Sequence, residues 1–413
     1  MRPTLLLLLL LLLLRASSAW VSVSVTEYGA IGDNASDCTA AFRSAAAAVA
    51  AASGGQLLVP AGDFKTAPFN LSSNVLLRVE GTVWGVESLA NWPKVAGLPS
   101  YASPDAMPGL RYHPLVWAVN ASNVSVSGSG TINGAGIWWW QQMRDNARPH
   151  IMEIHNVTGV DVSGVTLQNS AFWTLRPWLC TNVHIHDMRI LAPWPNDPGG
   201  VLNADGIDVD SSQNVLIERN FLSVGDDHVT ILAGAGAAGR AFGVPSRNVT
   251  VQDNVLGTGM GLSVGSSVSG GVEDVVFRRN VMTERAGDWG AGAHIKTRVT
   301  YGGFIRNVAF LDNVFHRVAT AGLWIETDYQ SRGNCTAKTC TEIRDIVFRN
   351  FSVQAPSGTG YLNCYAARPC QNITLDGVHI NSSAWGQGSC NNVASGTFTN
   401  VTPPGLAKVC GLE

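Results

Sequence analysis

Asn214-Val215-Leu216-Ile217 is followed in turn by Asn248-Val249-Thr250-Val251, Asp274-Val275-Val276-Phe277 and Asn307-Val308-Ala309-Phe310. The same phrase stands earlier as Asn123-Val124-Ser125-Val126 and Asn182-Val183-His184-Ile185, and later as Asp345-Ile346-Val347-Phe348 and Asn372-Ile373-Thr374-Leu375. Each is a short, largely β-branched run with alternating faces, entered by Asn or Asp and followed by a second brief apolar stretch and a turn. The phrase returns after 34 residues from Asn214 to Asn248, after 26 to Asp274 and after 33 to Asn307. No amphipathic helix stands between the repeats, which argues against βαβ units, and a propeller blade would need about 40 to 45 residues and four strands. The pattern predicts an all-β chain coiled as a right-handed parallel β-helix, a solenoid of short strands stacked rung on rung. Successive rungs lie about 4.8 Å apart, so equivalent positions form columns in which Asn side chains stack as ladders and residues distant in sequence become neighbours.

Outside the repeat, alanine-rich Ser36 to Ala52 is the one convincing helix, short and placed to cap the open N-terminal end of the coil. No Pro/Ser linker or charge run divides the chain, so residues 20–413 are expected to form a single elongated domain. The first residues, Met1-Arg2-Pro3-Thr4, precede unbroken leucine from Leu5 to Leu14 and then Arg15-Ala16-Ser17-Ser18-Ala19. A basic start, an apolar run too short to span a bilayer and small residues before a cut after Ala19 describe a signal peptide over residues 1–19. The expected localisation is therefore secreted, extracellular or in a cell wall. Eight cysteines, Cys38, Cys180, Cys335, Cys340, Cys364, Cys370, Cys390 and Cys410, accordingly read as disulfides rather than metal ligands. Cys335 and Cys340 would close a short loop, and the last four would staple a C-terminal cap over about residues 355–413, with the pairing open. Asn-x-Ser/Thr acceptors at Asn34, Asn70, Asn120, Asn123, Asn156, Asn248, Asn334, Asn350, Asn372, Asn381 and Asn400 agree with export.

With 27 Lys and Arg against 30 Asp and Glu, the net charge is −3 and charged residues are 14% of the chain, so nothing suggests nucleic acid or anionic lipid as a partner. The densest chemistry lies in Asn203-Ala204-Asp205-Gly206-Ile207-Asp208-Val209-Asp210 and, one repeat later, Gly225-Asp226-Asp227-His228. One repeat of spacing puts Asp205, Asp226 and Asp227 on neighbouring rungs of one face. Clustered carboxylates raise the pKa of at least one member, leaving an acid beside a base, the division of labour that glycoside hydrolysis needs. As turn residues, Asp-Gly and Gly-Asp-Asp would instead bond locally to backbone. Asp208 and Asp210 alternate with Asp205 in facing and are expected to be structural. His228 would tune the Asp pair or sit in the wall of the coil. Trp138-Trp139-Trp140 would line a sugar cleft or cover a loop. His184 and His186 share a strand face, but no third and fourth ligand stands at a suitable spacing, so no metal or cofactor is expected.

These motifs, with Gly259-Met260-Gly261-Leu262-Ser263-Val264-Gly265-Ser266, His294-Ile295-Lys296 and Tyr329, resemble in order and spacing the polygalacturonase-like glycoside hydrolases (pectinases). Tyr28 to Asp33 and Val59 to Gly62 resemble the family's entry, Arg148-Pro149-His150 through Leu191-Ala192-Pro193 its plant-type members, and Cys364 to Cys410 its tail. The resemblance implies a secreted enzyme that cleaves galacturonate-containing pectic polysaccharide by inverting hydrolysis, acting as a monomer. Asp226 would be the general acid, Asp205 and Asp227 would activate water, Lys296 would hold a substrate carboxylate, and Tyr329 would lie against a sugar ring. The chain departs from the family twice. Met260 stands where the family usually has a histidine within Gly-His-Gly, although plant-type members vary there, and methionine neither donates a hydrogen bond nor carries a proton. His294 stands where it usually has arginine, so carboxylate binding there would weaken as pH rises through about 6.5, and exo attack or a partly neutral or branched pectic substrate would be favoured. Two other classes compete: a calcium-dependent pectate-type lyase, which would leave an unsaturated product, and a wall-binding protein with decayed catalysis.

Overall fold

Asn and Asp tolerate the left-handed backbone conformation that most residues avoid, and each phrase opens on such a corner: φ is 56° at Asn214, 52° at Asn248, 57° at Asp274 and 52° at Asn307. At every corner the chain turns into a strand of the rung. In the computed structural model, which describes residues 20–412 except 104–108, 144–146, 193–201, 284–289, 317, 319, 332, 337, 355–357, 383 and 387, 32 strands join into one coiled parallel sheet. The chain is thus a parallel β-helix. The expected signal peptide and Pro193, the end of the stretch that resembles plant-type members, lie outside the described residues.

Each rung contributes to three columns. One contains Leu175–Trp178, Ile207–Asp210, Val229–Leu232, Leu262–Val264, Ala291–Lys296 and Ala321–Glu326. The second contains the repeated phrases, paired in register as Val183 with Val215, Val215 with Val249 and Val249 with Val275. The third is made of the brief strands that follow, such as Phe221–Ser223 and Val255–Leu256. Alternate residues point into the coil, where Phe277, Phe310 and Phe348 stack with centroids 4.6 and 5.0 Å apart.

Two asparagine ladders run along the coil. Outside, Asn248 Nδ2 donates to Asn214 Oδ1 at 2.8 Å and Asn214 Nδ2 to Asn182 Oδ1 at 3.0 Å. Inside, Asn220, Asn254, Asn280 and Asn313 are buried and linked amide to amide at 2.9 to 3.0 Å. The N-terminal helix spans Thr39–Ala51, starting later than the expected Ser36 because Asp33–Asp37 forms a strand and the Asp37 carboxylate accepts from Thr39 N at 2.9 Å. It buries Ala41, Phe42, Ala45 and Val49, with Phe42 5.2 Å from Phe69.

Six cysteines pair, as Cys335–Cys340, Cys364–Cys370 and Cys390–Cys410. The expectation that all eight form disulfides is corrected for Cys38 and Cys180, which are free and buried. Cys38 precedes the N-terminal helix while Cys180 sits inside the coil, its thiol pushed up to about 12 by burial. No described helix is long and apolar enough to cross a membrane. Trp139 is fully buried against Trp92 and Tyr112, so the tryptophan run packs the short helix Gly136–Gln142 onto the coil. His184 and His186 do share a face, yet the expectation that no third ligand stands near is corrected: strand pairing sets Asp161 opposite His184.

Candidate active site

Register alone assembles the floor. Asp208 pairs with Thr230, Thr230 with Ser263, Ser263 with His294, and His294 with Trp324, all on the outward face of the first column. Asp205 comes from the loop before Ile207–Asp210, and Asp226 and Asp227 from the turn before Val229–Leu232. One carboxylate oxygen from each of the three lies within 4.8 Å of the others. They open into a cavity of about 300 Å³ that is also lined by Trp173, Asn203, Lys296, Arg298, Tyr301, Tyr329 and Gln330.

The partners of the three carboxyls differ. Asp227 accepts from Ser263 Oγ at 2.7 Å and from Lys296 Nζ at 2.7 Å. Burial opposes charge on Lys296, but the Asp227 carboxylate outweighs it and holds the ammonium above its ordinary pKa. Asp226 accepts from Asp227 N at 2.9 Å and from Asn203 Nδ2 at 3.4 Å. Burial, then the neighbouring Asp227 charge, pushes the Asp226 carboxyl up to about 7. Asp205 has one oxygen without a partner, and burial followed by the Asp226 and Asp208 charges raises it well above the usual carboxylate range. Carboxyls this close cannot all ionise, so protons are shared among them.

Tyr329 lies with its ring 5.0 Å from Lys296 Nζ. His228 is fully buried, and its ring nitrogens meet Gly257 O and Gly261 N at 3.1 Å each, so it fixes the backbone of the next turn and stays out of the cavity wall. Burial pushes its pKa down to about 4. A Cβ at Gly259 would come within 2.4 Å of that ring, which explains the glycine. Met260, between Gly259 and Gly261, donates its backbone N–H to Asp226 O at 2.8 Å. His294 is buried between Trp324 and Tyr329 and meets Glu326 Oε2 at 3.2 Å; burial lowers its pKa. Its unperturbed value of about 6.5, on which the expected pH dependence rests, therefore does not hold here.

Asp208 and Asp210 are both buried on the outward face. Asp210 pairs with Arg176 and accepts from Tyr101 Oη at 2.8 Å, whereas neither oxygen of Asp208 has a protein partner. Asp208 thus belongs to the carboxylate cluster rather than to a structural pair. Arg298, Trp173 and Tyr101 escaped the sequence reading. Arg298 follows Lys296 by two positions, a parity that pointed to the same face; Trp173 and Tyr101 come from turns that carry no signal. The floor beyond Asp210 is closed, because Tyr101 and Trp173 each lie 4.8 Å from the Arg176 guanidinium and Phe242 stacks on Trp178 at 5.5 Å.

The sequence profile of Glycosyl hydrolases family 28 matches residues 51–399. A "Probable polygalacturonase" of Vitis vinifera is 28% identical over 403 residues, 92% of this chain and 79% of its own. An "Exopolygalacturonase" of Zea mays is 25% identical over 418 residues, 96% of this chain and 90% of its own. Among solved structures, a hyperthermoactive exopolygalacturonase from Thermotoga maritima matches with a TM-score of 0.74 and 26% identity over 92% of each chain. An endo-xylogalacturonan hydrolase from Aspergillus tubingensis matches with a TM-score of 0.69 over 91% of this chain and 97% of its own; at 19% identity it speaks to the fold alone.

Proposed function

The chain belongs to glycosyl hydrolase family 28, and from that membership we propose that it hydrolyses galacturonate-containing pectic polysaccharide at the Asp205, Asp226 and Asp227 cluster, releasing sugar from a chain end. The observation that carries this reading is the convergence of the three carboxyls, one raised to about 7 and one bonded to a cation, in a single cavity. Asp226 gives its proton to the glycosidic oxygen as the bond to the anomeric carbon breaks. Water adds to that carbon and loses its proton to Asp227 or to Asp205, the latter in states where the shared proton rests on Asp226. Inversion rests on the family resemblance. Carboxylate oxygens within 4.8 Å of one another stand closer than the about 6.5 to 9.5 Å usual between the carboxyl groups of an inverting pair, so the anomer of the first product is the measurement that decides it.

Lys296 has three donors, so it can hold both Asp227 and the carboxylate of a bound sugar. Arg298 supplies the forked cation that the family resemblance puts at His294, which is buried and paired with Glu326. Attack at a chain end is supported by the closure of the floor under Tyr101 and Phe242. Three disulfides suit a protein that acts outside the cell, and a complete site on one chain suits a monomer.

The test is release of reducing ends from polygalacturonate at mildly acidic pH by the wild type and by Asp226→Asn. Wild type should yield monogalacturonate, with kcat in the variant lower by about 10² to 10⁴-fold. A calcium requirement with an unsaturated product, or equal silence from both proteins with binding intact, would sink the proposal.

A further inference from the structure

On the second column, away from the carboxylate cavity, three polar side chains from two neighbouring rungs stand outside the coil. His184 and His186 alternate with inward Val183 and Ile185 and stack with ring centroids 3.9 Å apart. Asp161, on the preceding rung, lies opposite His184 in register. Its Oδ2 is 3.3 Å from His186 Nε2 and 3.8 Å from His184 Nδ1. One ligating atom from each of the three falls within 4.8 Å of the others. Two ligands of a tetrahedral ion bound at about 2.0 to 2.1 Å sit about 3.3 Å apart. The His186 separation is already of that size, and the His184 one is half an ångström or so longer.

The other nitrogen of each ring is held as metal-bound imidazoles usually are, by a carboxylate. His186 Nδ1 meets Asp187 Oδ2 at 2.6 Å, and His184 Nε2 meets Glu218 Oε1 at 3.2 Å. Those carboxylates are themselves fixed: Arg219 bonds to both, and Gln252 Nε2 donates to Glu218 Oε2 at 2.6 Å. Three carboxylates against one arginine leave the cluster negative before any ion arrives. The two rings must open their 24° stack somewhat for both lone pairs to reach one ion.

We propose that Asp161, His184 and His186 bind one zinc-type transition-metal ion, which clips neighbouring rungs of the coil together. Two imidazoles and a single carboxylate suit zinc, copper or nickel, whereas calcium and magnesium demand more oxygen ligands. Water completes the coordination. An ion held by adjacent rungs binds the folded chain far better than the unfolded one and so stabilises it.

The experiment is titration of EDTA-treated, dialysed full-length protein with zinc chloride by isothermal calorimetry, with thermal melting alongside. One zinc per chain should bind, and Tm should rise by about 3 °C when zinc is about 100-fold above Kd. His184→Ala and Asp161→Asn should each weaken that binding by about 100-fold or more and abolish the Tm shift. Should His184→Ala not fold, the isosteric Asp161→Asn decides alone. No binding, zinc binding that both variants retain, or calcium binding as tight as zinc would overturn the proposal. The readouts are independent of any hydrolytic activity.

Discussion

Asp226 is held protonated by its surroundings, and that has opposite consequences for catalysis and for stability. Its pKa is raised from 3.8 to about 7, so between those values the folded chain binds more protons than the unfolded one and stability falls as pH rises. Asp226→Asn, uncharged throughout, should therefore melt above the wild type at pH 7, with the gap closing near pH 4; calorimetric melts at the two pH values check this, and a pH-independent gap would refute it. For kcat/KM, the alkaline limb should fall near pH 7 as the acid is lost. In the proposed reaction Arg298, which lines the cavity, holds the substrate and does not move the proton. Arg298→Ala should raise KM for oligogalacturonate by about 10-fold or more with kcat little changed, and Arg298→Lys should recover part of it. Steady-state kinetics with methyl-esterified substrate as control would expose a merely structural role, since both substrates would then suffer alike. The convergence of the three carboxyls was legible because one repeat separates Asp205 from Asp226 and Asp227. The burial of His294 was not, because Trp324 and Tyr329, which enclose it, belong to a later rung and a loop.

Single elements carry consequences that no residue type announces. Within the inner ladder, Asn254 accepts from Asn220 N at 3.0 Å and Nδ2 at 2.9 Å, and donates to Asn280 Oδ1 at 2.9 Å and Ile217 O at 3.2 Å. Replacing it by alanine leaves the buried Asn220 N and Nδ2 donors on the rung below without that acceptor, at about 1 to 3 kcal/mol for each group, whereas Asn280 Oδ1 on the rung above still accepts from the backbone N–H of residue 254 at 3.1 Å. Asn254→Ala should thus be among the more destabilising single changes in the coil, seen as a loss of several degrees or more in Tm, whereas Asn248→Ala on the exposed ladder should cost far less. The turn Pro99–Tyr101 is the matching case for function. Ser100 O accepts from Ala235 N at 2.9 Å, tying the turn to the segment Gly236–Phe242 that also covers the floor. Tyr101→Ala should open the closed end, and chromatography of digests should then show oligogalacturonates beside the monomer; an unchanged product pattern would mean that this turn does not set chain-end attack. The strands and the outer ladder were readable from the phrase Asn-Val-x-Val, since φ, facing and stacking all follow from it, whereas the inner ladder lies outside the phrase. The closing turn was not, because its contacts with residues far along the chain are tertiary and carry no repeat.

At the scale of the whole molecule, a coil in which each rung touches only its neighbours has no central core to share damage. Its ends are the weak points, with unpaired strand edges to cover. Thr39–Ala51 covers one end with Phe42 set against Phe64 and Phe69. At the other, Gln371–Ile380 and Gly396–Thr399 form the last rungs, and Leu406–Cys410 is joined through Cys390–Cys410 to the strand Cys390–Asn391 that lies between them in the chain. That bridge closes a loop of 20 residues, which in the chain-entropy view restricts the unfolded segment by about 3 kcal/mol. In a globular core such a loss spreads over the whole fold. In a solenoid it should stay local, because the rungs that carry Asp205, Asp226 and Asp227 lie several turns away and are paired on both sides. Hydrogen exchange on the double variant Cys390→Ser, Cys410→Ser should show protection lost from Gln371–Ile380 and Gly396–Thr399 but kept in Ile207–Asp210 and Val229–Leu232. Hydrolytic activity at moderate temperature should be retained. Uniform loss of protection along the coil would mean that the rungs unfold as one unit and that the end caps support the carboxylate cluster directly.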